Sequence, residues 1–162
     1  MGGGGAEIVR PATLTTEQVL PRPLHELFPF FAEARNLERI TPPWLRFEVL
    51  TPGPISMRAG ALIDYRLRWR GLPLRWRTEI EVWEPPHRFV DRQVRGPYLL
   101  WRHEHRFVAH GNGTLATDRI DYAAPGGRLV HRLVVDRDVR RIFEYRRRAL
   151  LQLFGGPAGG QD

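Results

Sequence analysis

The chain has 162 residues, no cysteine and a formal net charge of +7, and its 25 basic residues are all arginine. This length suits one domain with a substantial core, and the lack of cysteine excludes disulfides and cysteine metal sites. The arginines are interleaved with acidic residues along the chain instead of being clustered, so a nucleic-acid partner is not predicted.

Glycine-rich stretches stand at both ends of the chain. We predict a flexible lead over residues 1–12, a single domain over residues 13–154 and a flexible tail over residues 155–162. No apolar run is long enough for a signal peptide or a membrane span, so the expected location is cytoplasmic.

The first elements are a strand and two short helices. Loose alternation predicts an edge strand over Thr13–Pro21. A proline in the first turn and apolar residues on one face predict a helix over Pro23–Phe31, kinked or ended by Pro29. A second short helix is predicted over Ala34–Ile40, stopped by the prolines that follow it.

From Trp44 the apolar residues recur with a period of two, which predicts a strand up to Pro52. A hairpin follows, with a two-residue turn at Arg70-Gly71. In this register odd positions of the first strand face even positions of the second, so both apolar sets share one sheet face. The sets are Ala61, Ile63, Tyr65, Leu67 and Trp69, and Leu74, Trp76, Thr78, Ile80 and Val82.

Three further strands are predicted over His87–Val94, Tyr98–Ala109 and Thr114–Ala123, which makes seven in all. The last turn allows two registers. A turn at Asn112-Gly113 places His105 opposite Ile120, and a turn at Gly111-Asn112 places it opposite Asp118.

A long amphipathic helix is predicted over Arg128–Phe154. Its apolar stripe comprises Val135, Val139, Ile142, Phe143, Leu150, Leu153 and Phe154. The opposite face is expected in water and comprises Arg137, Asp138, Arg140, Arg141, Glu144, Arg147 and Arg148.

The predicted inner face of the sheet combines large aromatic residues with convergent polar groups. Unpaired polar groups are costly to bury, and aromatics around a few polar groups are typical of a small-molecule pocket. The predicted ligand-binding residues are Tyr65, Trp69, Trp76, Gln93, Trp101, Ile120, Tyr122 and Ile142. The candidates for proton transfer are His103, His105, Asp91 and Asp118, and the alternative for these four is a purely structural network.

Metal and cofactor motifs are lacking. His103 and His105 share a face with Asp118, but no third close histidine or CxxC accompanies them, so no metal is predicted. No GxSxG, GxGxxG or P-loop pattern occurs, and no cofactor is predicted.

Three stretches resemble one superfamily: residues 36–107, GTLATDRIDY at 113–122 and FEYRRR at 143–148. They are similar to the ligand-binding branch of the SRPBCC (START/Bet v 1-like) superfamily, which groups polyketide cyclase/dehydrase-like and lipid-transport proteins. The resemblance covers roughly Thr13 to Phe154.

The resemblance implies an α+β helix-grip fold. In that fold a curved seven-stranded antiparallel sheet wraps around a long C-terminal helix, with two short helices after the first strand. It also implies a cavity between the concave sheet face and that helix. Aromatic polyketide cyclases of the superfamily use pocket arginine, tyrosine, tryptophan, aspartate or histidine side chains to orient a poly-keto chain and move protons. No catalytic motif of theirs matches this chain residue by residue.

Three functions therefore compete. The first is binding of a hydrophobic small molecule such as a lipid, an isoprenoid or an aromatic polyketide. The second is a cyclase/dehydrase that uses pocket aspartate and histidine as general acid and base. The third is an interaction module whose basic outer face binds an acidic protein, a membrane surface or nucleic acid. That face comprises Arg137, Arg140, Arg141, Arg147 and Arg148.

Overall fold

The computed structural model describes residues 10–156 and confirms the predicted seven-stranded antiparallel sheet with a long C-terminal helix. The strands follow the sheet order β1-β7-β6-β5-β4-β3-β2. They are β1 (Ala12–Leu20), β2 (Glu48–Val49), β3 (Leu62–Trp69), β4 (Leu72–Glu84), β5 (Arg88–Arg95), β6 (Leu100–His110) and β7 (Gly113–Ala123). Residues 1–9 and 157–162 of the predicted lead and tail lie outside the described residues.

The helical segments follow β1 and β7, as predicted. The first group comprises α1 (Leu24–Phe31), a 3₁₀ helix (Ala34–Ile40) and a 3₁₀ turn (Pro43–Leu45). The second comprises α2 (Gly127–Val130), a π-helical turn (His131–Val135) and α3 (Asp136–Phe154), and these three contiguous segments are called the C-terminal helix below. Helix α1 continues for two residues beyond Pro29. No helix in residues 10–156 is both long and apolar enough to cross a membrane.

The predicted hairpin register is confirmed. Tyr65 pairs with Trp76, and the turn residues Arg70 and Gly71 have φ of 49° and 85°. Positive φ at both central residues matches the right-handed twist of the flanking strands. At the last turn His105 pairs with Asp118, which selects the Gly111-Asn112 turn of the two registers considered.

The strand predicted from Trp44 is wrong in length. Residues Pro43–Leu45 form a 3₁₀ turn, and Arg46 that follows has a left-handed φ of 44°. This reversal leaves only the two residues of β2 to pair with β3.

The inward set predicted for β4 is wrong at its end, because the strand contains a register shift between Ile80 and Val82. A bulge inverts the alternation beyond it. Trp83 therefore takes the inward place expected for Val82, and its ring centroid lies 5.6 Å from Phe28 and 5.7 Å from Phe89.

The C-terminal helix begins at Gly127, one residue before the predicted start. Its stripe packs Val139 and Phe143 against Leu14 and Ile120. Asp138 was expected in water, but its side chain is 24 % exposed and accepts a hydrogen bond from the Trp69 indole at 2.8 Å. That bond joins the tip of the β3–β4 hairpin to the start of α3.

Candidate functional site

A cavity of about 360 Å³ lies between the inner face of the sheet, meaning the face toward the C-terminal helix, and that helix. Strands β3 to β6, α1, the 3₁₀ helix and the C-terminal helix all contribute to its lining. The walls are mostly apolar, and they include Phe31, Leu37, Ile63, Leu67 and Ile80. Alternation along β3 and β4 explains this wall, because successive inward residues of the hairpin face the same side.

Five of the eight predicted ligand-binding residues line the cavity: Tyr65, Trp69, Trp76, Trp101 and Ile142. Two of these side chains, Trp76 and Trp101, form one aromatic end of the cavity together with Tyr98, which also lines it. The ring centroid of Trp76 lies 5.3 Å from that of Trp101 and 5.5 Å from that of Tyr98. The edge-to-face geometry of these pairs favours a rigid aromatic wall.

The other three predicted residues do not line the cavity. Gln93 donates to the backbone oxygen of Tyr98 and accepts from its N–H. Ile120 is fully buried in the core below the helix. Tyr122 donates to Asp136 at 3.0 Å. Ile120 and Tyr122 pack against the C-terminal helix, which closes directly over them, whereas Gln93 is held by the backbone of Tyr98.

The four candidates for proton transfer form one cluster. Because β6 lies between β5 and β7, its inward residues His103 and His105 come between Asp91 and Asp118. The Nε2 of His103 lies 2.8 Å from Asp118 Oδ1, and the Nε2 of His105 lies 3.0 Å from Asp91 Oδ2. The two imidazole centroids are 3.7 Å apart. Both imidazoles and Asp91 line the cavity.

The other ring nitrogens of the cluster, Nδ1 of His103 and Nδ1 of His105, form no hydrogen bond within residues 10–156. The Nδ1 of His103 lies 3.7 Å from Asp91. The Nδ1 of His105 lies 3.0 Å from Asp118 Oδ1 but without hydrogen-bonding geometry. The rings are buried and the carboxylates are 18 % exposed, so the cluster has little access to bulk water.

Burial and bonding move the pKa values of the two histidines apart. Burial, and then the neighbouring His105, lower the pKa of His103 to about 4. Burial also opposes the charged form of His105, but contacts with Asp118 and Asp91 outweigh it and raise the pKa of His105. Burial favours the neutral form of both aspartates, yet the histidines hold the pKa of Asp91 below its usual value and that of Asp118 well below it. These directions favour ionised aspartates, and they favour a proton on His105 over one on His103.

Arg146 is a cavity residue that the sequence analysis did not identify. It is 8 % exposed, lies on α3 and lines the cavity. Its position in the helix could have revealed it, because it follows Ile142 by four residues and precedes Leu150 by four, within the apolar stripe. Burial lowers the pKa of Arg146, and the charges of Asp118 and Asp91 partly offset that effect.

One donor atom from each of Asp91, His103 and His105 lies within 4.8 Å of the others, so distance alone would allow a metal ion. Asp118, the third ligand considered from the sequence, is instead bonded to His103. The guanidinium of Arg146 lines the same cavity and interacts electrostatically with Asp91. A buried positive charge raises the cost of a second cation, so the geometry favours a hydrogen-bonded cluster.

Comparison with models of known protein families identifies one family that matches this chain. Residues 20–150 match the model of the family described as polyketide cyclase / dehydrase and lipid transport. No curated protein matches the chain by sequence.

Solved structures share the fold at low identity. The Zhui aromatase/cyclase from a Streptomyces species is 14% identical over 89% of this chain and 93% of that chain, with a TM-score of 0.70. Protein Ms6760 from Mycobacterium smegmatis is 22% identical over 87% of this chain and 89% of that chain, with a TM-score of 0.67. Major latex-like protein 151 from Panax ginseng is 12% identical over 89% and 97%, with a TM-score of 0.66. These likenesses establish the helix-grip fold.

Proposed function

Because the chain belongs to the polyketide cyclase/dehydrase and lipid transport family, we propose that it binds a hydrophobic small molecule in the cavity. Suitable molecules are a lipid, an isoprenoid or an aromatic polyketide. The observation that carries this proposal is the mostly apolar cavity of about 360 Å³, with polar groups converging on one part of its wall. Pockets of this size and polarity are typical of small-molecule sites.

A cavity-filling substitution tests the proposal. Ile142→Trp adds a large ring to the cavity wall, and Leu151→Trp is the matched control because Leu151 is 43 % exposed on the same helix. We expect Ile142→Trp to weaken binding of 2-ethylnaphthalene, measured by calorimetry, by about tenfold or more, and Leu151→Trp to leave it unchanged. Equal affinity in the two folded variants would place the ligand outside the cavity and overturn the proposal.

A second candidate function is acid–base chemistry on a bound ketone or poly-keto chain. The observation that favours it is that His103 and His105 line the cavity with opposite pKa shifts. One imidazole of the pair would accept a proton from the carbon next to a carbonyl, while the other would donate one to the carbonyl oxygen. These two transfers produce the enol from which cyclisation or dehydration proceeds.

Hydrogen–deuterium exchange at the methyl group of 2-acetylnaphthalene, followed by NMR in D₂O, tests this candidate. We expect wild-type protein to accelerate exchange, and His105→Gln to remove the acceleration while ketone affinity changes by no more than a few-fold. Exchange at the buffer rate in wild type would exclude the acid–base function and leave the binding function intact.

A further inference from the structure

Arg146 differs from its neighbours on α3. Arg147 and Arg148 are exposed, and Arg148 pairs with Glu144 at 2.8 Å. Arg146 is buried, its Nε has no hydrogen-bond partner, and within residues 10–156 its guanidinium makes no hydrogen bond or ion pair. Its ring contact is with Phe143, whose centroid lies 4.8 Å from the guanidinium carbon.

Such a guanidinium needs an acceptor. An arginine presents five N–H donors, and a buried charge without hydrogen bonds is costly. Asp91 and Asp118 attract it electrostatically, but within residues 10–156 both carboxylates bond histidines, and neither forms a hydrogen bond or ion pair with the guanidinium. Since Arg146 lines the cavity, a molecule inside the cavity can supply the missing acceptor oxygen.

A second donor lines the same cavity. Tyr65 is 6 % exposed, and its hydroxyl makes no hydrogen bond within the described chain. Burial and Asp91 raise the pKa of Tyr65 while Arg146 lowers it, so the phenol keeps its proton and lies within electrostatic reach of the guanidinium. The cavity therefore offers an N–H donor group and an O–H donor beside mostly apolar walls.

The charged groups near the cavity determine which kind of acceptor oxygen on a ligand is favoured. Asp91 lines the cavity, Asp118 bonds the cavity residue His103, and both carboxylates interact electrostatically with Arg146. An anionic head group would add an unbalanced charge next to two carboxylates. A neutral acceptor adds none.

We propose that Arg146 is a ligand-binding residue that donates hydrogen bonds to a neutral carbonyl oxygen, so the natural ligand is an apolar molecule that carries a ketone or ester group. This inference rests on the proposed binding function and specifies the class of ligand. Tyr65 is the second donor to the same oxygen or to a neighbouring one. The apolar body of the ligand lies along the tryptophan-lined wall.

Three probes of nearly equal shape test the inference: 2-acetylnaphthalene, 2-ethylnaphthalene and 2-naphthoate. Calorimetry on wild-type protein should show the ketone binding about tenfold or more tightly than the hydrocarbon, because a hydrogen bond to a charged donor has roughly that effect. The carboxylate should bind more weakly than the ketone. Arg146→Met, which keeps an unbranched side chain but removes the guanidinium, should abolish the preference for the ketone and preserve hydrocarbon binding. Arg147→Met, one residue along and exposed, should behave as wild type.

The outcomes separate this inference from the binding proposal. If no probe binds, both fail. If ketone and hydrocarbon bind equally to wild type, the hydrophobic cavity stands and the role of Arg146 falls, whether or not Arg146→Met folds. Tightest binding of 2-naphthoate would also overturn the inference, since the site would then select an anion.

Discussion

Strand β6 carries charged or ionisable side chains on both of its faces, and the two faces differ in how those groups are paired. On the outer face Arg102 bonds Glu81 at 2.7 Å, and the two side chains are 35 % and 39 % exposed. On the inner face the next residue, His103, is buried and bonds Asp118. The outer pairs form a ladder in which every strand from β3 to β6 takes part. The inner groups form one closed cluster.

The comparison shows that exposure to water determines how much a charged pair contributes to stability. An exposed ion pair contributes roughly 0–1 kcal/mol because water screens it and solvates each partner alone. When a buried charge loses its partner, it stays desolvated without compensation. The resulting loss of stability is several times larger than the loss from breaking an exposed ion pair. An exposed outer arginine such as Arg102 can therefore be replaced with little effect, while each inner group constrains the others.

The largest expected effect comes from Asp118, the carboxylate that bonds His103 and lies 3.0 Å from His105. Asp118→Asn keeps the shape but removes the negative charge that offsets the positive groups. We expect the free energy of unfolding to fall by about 3 kcal/mol. Urea denaturation at neutral pH, followed by tryptophan fluorescence, measures the change.

The matched control is Asp64→Asn on the outer face, where Asp64 accepts two hydrogen bonds from Arg77 and is 42 % exposed. Its expected loss is about 1 kcal/mol or less. Losses of the same size in the two variants would mean that the inner cluster is solvated like the surface.

A somewhat smaller effect, with a defined pH dependence, comes from His105. It contacts Asp91, Asp118 and His103, and Arg146 lines the same cavity and interacts with both aspartates. Its raised pKa means that folding favours its charged form. Because the folded pKa lies above the unfolded value of about 6.5, this stabilisation is complete below about pH 6.5 and is lost as the pH rises through the folded pKa.

His103 would obscure that measurement, because its lowered pKa has the opposite effect on stability and the two rings compete for one proton. The comparison is therefore made between His103→Gln and the double variant that also carries His105→Gln. We expect the double variant to be less stable by about 2 kcal/mol near pH 5.5, with a smaller difference near pH 9. A difference that grows with pH would contradict the assignment of the proton to His105.

The sequence predicted the sheet well because the residues that determine each turn and each strand lie close together along the chain. Turn residues and alternation of period two determine which side of a strand each residue takes, and this was enough to bring His103, His105, Asp91 and Asp118 together. It could not show that β4 has a bulge before Trp83, because no glycine or proline marks that position.

Arg146 and Asp138 were missed for a different reason. Both lie on the C-terminal helix, where a polar residue beside an apolar stripe is ordinarily assigned to solvent. The spacing of Arg146 from Ile142 and Leu150 indicates burial. Whether a buried side chain reaches a cavity depends on how the helix packs against the curved sheet, and a single sequence does not contain that packing. The same limit applies to Gln93, Ile120 and Tyr122, which face inward but are covered by protein.

One hydrogen bond has an exposure between that of the outer ion pairs and that of the inner cluster. Trp69 donates to Asp138, whose side chain is 24 % exposed. We expect Trp69→Phe to lower the free energy of unfolding by about 1 kcal/mol, the usual net value of a hydrogen bond. Asp138→Asn should cost less, because the amide oxygen can still accept the bond. A larger loss in Asp138→Asn would instead assign the main contribution to the contact of Asp138 with Arg70.

The smallest effect is expected for Arg102 and Glu81, the outer pair next to the inner cluster. A double-mutant cycle with Arg102→Ala and Glu81→Ala should give a coupling energy of about 0.5 kcal/mol, because both groups are largely hydrated when apart. At about 1 M salt the Debye length falls to about 3 Å, so the coupling should become undetectable. The bond of 2.7 Å would lead to the opposite expectation if distance alone decided strength. A coupling that is large and independent of salt would show that the outer ladder acts as a unit, and the contrast between the faces would then depend on connectivity rather than on water.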